Sequence, residues 1–286
     1  MFRPTDFKQN DKRWKDIIYA VDGETSTIGS AGCGPTAVSM VLNTLVSKWI
    51  DPVTCASWAR MHGYKVYKSG TSYNFPTAIG KAYGVEIKRL TTSSIYHHPE
   101  NLIHTEVINE LAKGNWVIAC MGKGNWTRSG HYILVYGYKD GNVYINDPAS
   151  TKANRAVNTW DRFKNEVKQY WIVKVSSNIT KNNEYNQADF VREVQLCIKA
   201  GCDEKAGPIT LRKTPTVSRK KNRKHAVVYV LQKKLKYRGY YAGDLDRVAG
   251  PGFDSGVKYY QKYVVGLKNP DGELTSNGAT WKSLLK

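Results

Sequence analysis

The sequence predicts an α+β half, in which an N-terminal helix packs on an antiparallel sheet, followed by a smaller, mainly α-helical half. Three observations carry this. An apolar helix pattern begins at Cys33, a set of short apolar runs includes a hairpin between His131 and Asp147, and a near-repeat of helical units follows a polar stretch after Val175. With 286 residues, the chain is long enough for two units with real cores.

Residues 1–31 form an arm that carries Gln9, Asp11 and Trp14 and ends in a loop rich in Gly, Ser and Thr. Ala37, Val38, Val41, Leu42 and Leu45 then recur at helical spacing, which predicts a buried helix over 33–47. Gly32, Gly34 and Pro35 mark its start, since Pro lacks an N–H that the first turn would leave unpaired. Asp51-Pro52 opens a second helix to about His62, closed by Gly63, and Thr71–Tyr83 reads as a third, closed by Gly84. A strand over Val85–Leu90 leads to a polar loop. Glu106–Lys113 reads as a helix stopped by Gly114, and Trp116–Met121 as a fully apolar strand.

A glycine-rich loop, Gly122–Gly130, delivers His131 to a strand that ends near Tyr138; after a turn at Lys139-Asp140-Gly141 a second strand runs from Val143 to Asn146. Side-chain parity requires a three-residue turn with a type I bend and Gly141 left-handed, which pairs Ile133 with Asp147 and puts His131 and Asp147 on one face. Trp171–Val175 is the last strand of this half.

The chemistry centres on Cys33. A thiol at a helix start meets unpaired N–H groups and the positive end of the dipole, and beside a cationic imidazole its pKa falls from about 8.5 to ~3.5–7.5. His131 supplies the imidazole and Asp147 its orienting carboxylate. The five cysteines, 33, 55, 120, 197 and 202, are odd in number and scattered, so a disulfide framework is not expected. Neither Cys197 and Cys202 nor the loop histidines His97, His98 and His104 have partners at metal-ligand spacing, so no metal or other cofactor is expected.

Three motifs carry a resemblance: Gly32-Cys33-Gly34-Pro35-Thr36-Ala37, Ser129–Gly137 beginning Ser-Gly-His-Tyr, and Val143-Tyr144-Ile145-Asn146-Asp147-Pro148. Over roughly residues 5–176 the chain resembles papain-clan cysteine peptidases related to bacteriocin-leader-processing domains. The resemblance implies a papain-like fold with Cys33 as nucleophile, His131 as general base and then acid, and Asp147 as orienter. Papain-like enzymes place a glutamine a few residues before the cysteine, and residues 24–32 contain none. Gln9 is the candidate oxyanion donor by motif, beside the Cys33 amide, with Thr27 and Ser30 as weaker ones.

Residues 177–187 are expected to be a linker, separating a peptidase-like domain (1–176) from a second domain (188–286). In the latter, Phe190–Gln195 with Ala206-Gly207-Pro208 returns as Val227–Gln232 with Ala249-Gly250-Pro251, giving two repeat-like halves. Together with Gly243-Asp244-Leu245-Asp246, Asp271-Gly272 and Thr280-Trp281, these residues resemble the peptidoglycan-binding modules of cell-wall hydrolases. Such modules usually carry glycine after the turn aspartate; here Glu204 and Arg247 stand in that place. Candidate wall-binding residues are Trp126, Tyr240, Tyr241, Tyr259, Tyr260 and Trp281, whose rings and polar edges suit sugar and peptide.

A net charge of +19 and the run Arg219–His225 predict attraction to anionic wall polymers rather than nucleic acid, for which no recognised fold surrounds the run. The N-terminus has no apolar run suited to a signal peptide and no stretch is long enough to insert in a membrane. The product is therefore expected to be soluble and made in the cytoplasm. The combination resembles phage endolysins, which implies accumulation in a host bacterial cytoplasm, access to the wall once the membrane is breached, and hydrolysis of stem or cross-bridge peptide bonds. The alternatives are an N-acetylmuramoyl-L-alanine amidase using the same triad and a non-catalytic wall-binding protein.

Overall fold

The computed structural model describes residues 1–176 and 183–286. The first half opens with helices α1 (Ile28–Ala31), α2 (Cys33–Leu45), α3 (Pro52–Met61) and α4 (Phe75–Ala82). Asp51 caps α3 by accepting the amides of Val53 and Thr54 at 2.8 and 3.0 Å. The helix expected from Thr71 starts only at Phe75, because Thr71 is tied into a loop by the hydroxyl of Tyr19 at 2.8 Å.

Next come β1 (Ile87–Arg89), α5 (Ile103–Ala112), β2 (Trp116–Met121), β3 (His131–Lys139) and β4 (Asn142–Asn146). They are followed by α6 (Ala153–Ala156), β5 (Val157–Thr159), α7 (Trp160–Glu166) and β6 (Val167–Val173). The strands make one antiparallel sheet in the order β1-β6-β2-β3-β4-β5. β2 is central and apolar throughout because both of its faces are covered. Trp116, Ile118 and Cys120 join the core that holds α2, whereas Val117, Ala119 and Met121 join the opposite core with Val107, Leu111 and Phe163 of α5 and α7.

The β3–β4 turn corrects the expected one. It is a two-residue turn in which Asp140 and Gly141 are both left-handed, at φ 51° and 74°, the type I′ geometry that suits the twist of a hairpin. The parity that a third turn residue was to supply comes instead from a bulge at Tyr136: Gly137 pairs with Tyr144, but Val135 pairs with Ile145 and Leu134 with Asn146. One more step along that register faces Ile133 to Asp147.

The second half contains α8 (Gln187–Cys197), α9 (Pro208–Lys213), α10 (Ala226–Tyr237), α11 (Pro251–Tyr260), a π-helical turn (Gln261–Val265) and α12 (Ala279–Leu285). A glutamine clamp organises it. Gln195 Nε2 donates to Asp203 Oδ1 at 2.6 Å, and its Oε1 accepts the amides of Asp203 and Glu204. Gln232 holds Asp246 and the Arg247 amide in the same way, and Gln261 holds Asp271 and the Gly272 amide. The near-repeat therefore has a third copy. Glu204, Arg247 and Gly272 share a left-handed backbone, φ 62°, 65° and 75°, so the turn survives the two non-glycine residues at about 1–2 kcal/mol each.

Of the expected linker, residues 177–182 lie outside the described ones. Tyr185 is buried, stacked on Trp49 with ring centroids 6.3 Å apart, and Asn186 caps α8. The two halves share one apolar cluster, in which Trp14 meets Tyr229 edge-on at 5.8 Å. Within this junction Lys233 Nζ lies 2.8 Å from Asp51 Oδ2 and 2.7 Å from Glu193 Oε1, all three side chains being buried.

Candidate active site

Cys33 is the first residue of α2, directly after the short helix α1. The break between the helices requires glycine: a Cβ on Gly32 would sit 2.4 Å from the Ile28 carbonyl oxygen. Gly34 is required by a close approach, since its Cβ would lie 2.9 Å from Thr71. The Gly-Cys-Gly sequence thus brings the thiol into a cleft of about 1060 Å³, with Thr71, Tyr73, Ser129, His131 and Lys168 among its walls. The loop carrying Thr71 is held by Lys65, whose buried ammonium donates to Glu24 Oε1 at 2.5 Å and to the carbonyls of Val66 and Ser69 at 2.8 Å.

His131 begins β3 opposite Met121. Its Nε2 donates to Asp147 Oδ1 at 2.7 Å, and the ring's other nitrogen, Nδ1, is left for its hydrogen bond with Cys33. Cys33, His131 and Asp147, singled out from the sequence, are brought together. Asp147 Oδ1 also accepts the Ala149 amide at 2.8 Å, Lys8 Nζ donates to the Asp147 carbonyl at 2.7 Å, and the Gln9 amide donates to Pro148 O at 2.8 Å.

The electrostatics favour an ion pair. Burial opposes ionisation of Cys33, but the hydrogen bond and charge of His131, with the amides of Tyr132 and Gly34, hold its pKa below the ordinary thiol value. Burial also opposes the imidazolium, and bonds to Asp147 and Cys33 outweigh it, pushing His131 up to about 9. Asp147 is likewise resisted by burial, yet the His131 bond and charge keep it below the usual carboxylate range. The other cysteines differ: burial pushes Cys120 up to about 11 and raises Cys55, Cys197 and Cys202.

Gln9 is buried, and its Nε2 donates to the Gly29 carbonyl in α1 at 2.7 Å; it does not line the cleft. Thr27 and Ser30 cap α1 through each other, which occupies both hydroxyls. Trp126 is corrected from surface to core. It is 2 % exposed, packs edge-on against Phe163, and its indole N–H donates to the Arg155 carbonyl at 3.1 Å. Tyr260 and Trp281 are also fully buried; Tyr260 bonds Ser283, and Trp281 donates to Pro215 O. Tyr241 is buried with its hydroxyl on the Asp244 carbonyl. Tyr259 remains at the surface beside the half-buried Tyr240, and Tyr263, unmarked in the sequence reading, extends the pair at 4.3 Å from Tyr259.

His104 is a further correction, since it is buried between the Tyr170 hydroxyl and the His98 carbonyl. The basic run borders a second cavity, about 760 Å³, where Arg219, Lys220 and Arg223 meet Lys258, Asp254 and Asp271. No helix among the described residues is long and apolar enough to cross a membrane.

A family model described as the Peptidase_C39 like family matches residues 7–179, the whole sheet and all three site residues. The chain belongs to the C39-like peptidase family. A second model, a peptidoglycan binding domain, matches residues 224–284. Among solved structures, a C39-like peptidase from Bacillus anthracis is 17 % identical with a TM-score of 0.37, covering 51 % of this chain and 90 % of that one. The peptidase domain of Streptococcus ComA, a bi-functional ABC transporter involved in quorum sensing, is 20 % identical with a TM-score of 0.36, covering 51 % and 92 %. No curated protein matches the chain. This C39-like protein thus joins a cysteine peptidase domain of papain-like fold to a helical peptidoglycan-binding domain.

Proposed function

We propose that this C39-like protein is a peptidoglycan hydrolase of the endolysin type that cuts amide bonds of stem or cross-bridge peptides. The observation that carries the reading is the meeting of Cys33 with the hydrogen-bonded pair His131–Asp147 at a cleft that Cys33 and His131 both line, in a chain that also carries a peptidoglycan-binding domain. The Cys33 thiolate attacks the scissile carbonyl, His131 Nδ1–H protonates the leaving amine, and water, deprotonated by His131, then hydrolyses the thioester. Asp147 fixes the imidazole through Nε2. The backbone N–H of Cys33, at the start of α2, receives the oxyanion, and Gln9, whose side-chain amide is spent on the Gly29 carbonyl, supports α1 rather than donating to it.

In this reading residues 1–176 form the catalytic domain and 188–286 the wall-binding one. Tyr240 and Tyr259 contact the wall, and the basic run with Arg219, Lys220 and Arg223, at the edge of a cavity of mixed charge, draws in anionic wall polymers. The enzyme acts on the wall from a host cytoplasm once the membrane is breached, as in phage lysis.

The test is digestion of purified Gram-positive walls by wild type and Cys33→Ala, with released fragments identified by mass spectrometry. New amino groups inside stem or bridge peptides, absent with Cys33→Ala, are expected. A free N-terminal alanine and peptide-free glycan would reassign the enzyme as an amidase. Equal digestion by both proteins would remove Cys33 from the chemistry.

A further inference from the structure

Asp147 has two carboxylate oxygens, and the proposed triad uses one. While Oδ1 accepts from His131 and from the Ala149 amide, Oδ2 faces Arg155 Nε at 2.6 Å. The carboxylate is 1 % exposed and the guanidinium side chain 18 %, so little water competes for this contact. Arg155 sits in α6, eight residues after Asp147, where nothing in the sequence pattern marks it.

Arg155 is itself fixed from the other side of the site. Its NH2 group donates to the Trp126 carbonyl at 2.5 Å, and the Trp126 indole N–H donates back to the Arg155 carbonyl at 3.1 Å. Trp126 belongs to the glycine-rich loop that leads into His131. One guanidinium therefore ties the segment before His131 to the carboxylate after β4, the two parts whose separation sets the His131–Asp147 hydrogen bond.

We propose that Arg155 is a positioning residue of this peptidase, locking Asp147 against His131 and completing an alternating row of thiolate, imidazolium, carboxylate and guanidinium. This rests on the reading that Cys33, His131 and Asp147 perform the chemistry. With Oδ1 hydrogen-bonded and Oδ2 ion-paired to Arg155, the carboxylate is biased against turning away when His131 moves its proton between sulfur and leaving group. The row also balances: two negative and two positive charges remain, whereas without Arg155 the buried set carries an excess negative charge.

Asp147 meets His131 from β3, Arg155 from α6, and Lys8 of the N-terminal arm, whose ammonium lies on the Asp147 carbonyl. Cys33 is faced by His131, by Cys120 of β2 and by the hydroxyls of Tyr19 and Tyr132, which burial keeps uncharged near neutral pH, and it shares its cleft with Lys168 of β6, Lys68 and Glu24, all of which Arg155 substitutions leave in place. Loss of the Arg155 charge makes Asp147 easier to protonate and supports the thiolate less, so both effects move the acidic limb of activity to higher pH.

The experiment uses the full chain with Arg155→Gln, which keeps a donor without the charge, and Arg155→Lys, which keeps the charge without the fork. For wall hydrolysis, Arg155→Gln is expected to lower kcat by roughly 10- to 100-fold with KM little changed. Its acidic limb should move up by about 0.5–1 pH unit, and Arg155→Lys should bring the limb back. A second readout needs no substrate: iodoacetamide alkylation of Cys33 against pH, followed peptide by peptide, should show the same upward move in Arg155→Gln. If both curves stay in place in a folded Arg155→Gln, the proposal is overturned even when kcat falls. If wild-type Cys33 itself alkylates only as an ordinary thiol and walls stay intact, the triad reading fails, and this proposal fails with it.

Discussion

Two buried charge clusters bracket α2 in the sequence, and they have opposite fates. At its start, Cys33, His131 and Asp147 form a row with one end open to the cleft. Beyond its end, Asp51, Glu193 and Lys233 form a row with no opening: Lys233 reaches both carboxylates, Thr54 and Tyr185 donate to Glu193, and Tyr229 donates to Asp51. Both sets are desolvated and paired. The first can exchange a proton with a substrate because a soft nucleophile faces space, while the second joins α3 of the peptidase half to α8 and α10 of the second half. Burial supplies geometry in each; access decides whether it becomes chemistry.

The sharpest way to break the comparison is to remove the nucleophile of the open row and the ammonium of the sealed one. Cys33→Ala is expected to lower wall hydrolysis by at least about 10⁴-fold. It should leave urea unfolding within ~1 kcal/mol, since a small half-buried thiol contributes little packing. Lys233→Met should do the reverse. With two buried carboxylates left unpaired, unfolding should cost about 3–5 kcal/mol less, while any protein still folded keeps its hydrolysis rate per molecule. Loss of hydrolysis in folded Lys233→Met would mean that the junction also shapes the cleft.

Much of the first row was legible because its parts are local signals: glycines and proline around a cysteine, a histidine at the head of an apolar run, an Asn-Asp-Pro closing the next. The hairpin parity was legible too, although its cause was not. A type I′ turn at Asp140-Gly141 and a bulge at Tyr136 give the same alignment as the expected longer turn, and an apolar-polar pattern reports the sum of such offsets rather than their positions. The second row was invisible, since Asp51, Glu193 and Lys233 come together only through tertiary packing of separate helices. Trp126, Tyr260 and Trp281 were misplaced for a related reason: an aromatic ring with a polar edge suits either a ligand or a core that offers one hydrogen bond, and here carbonyls or a serine supply it. The third repeat did leave a signal, a glutamine followed by an aspartate at a turn, which recurs at 195/203, 232/246 and 261/271.

A gentler change separates the rows by pH. Burial raises Glu193 to about 7; the Lys233 ammonium opposes this, and the like charge of Asp51 adds to it. A carboxyl whose folded pKa lies above its unfolded value binds more protons when folded, so wild-type stability should fall as pH rises from about 4.5 toward 7. Glu193→Gln keeps an acceptor for Lys233 and Thr54 without the titration. Its stability should therefore vary less across that window and exceed wild type by ~1–3 kcal/mol at pH 8, as read from urea midpoints with unchanged slope. A wild-type profile that rises over the same window would show Glu193 to be ionised throughout and firmly paired.

The smallest effect belongs to an ion pair at the rim of the junction between the halves. Arg247 lies 3.5 Å from Asp16, which is 63 % exposed, so the pair is screened and worth about 0–1 kcal/mol. Arg247 also holds the left-handed turn position where its counterpart Gly272 bears no strain, a conformation that costs a side chain roughly 1–2 kcal/mol. Arg247→Gly gives up the pair and relieves the strain, and the two nearly cancel. Thermal unfolding should change by under ~1 kcal/mol in either direction. A loss of several kcal/mol would mean that the junction depends on its rim as much as on the sealed row around Lys233, and the contrast between paired burial and exposed pairing would then no longer explain what holds the halves together.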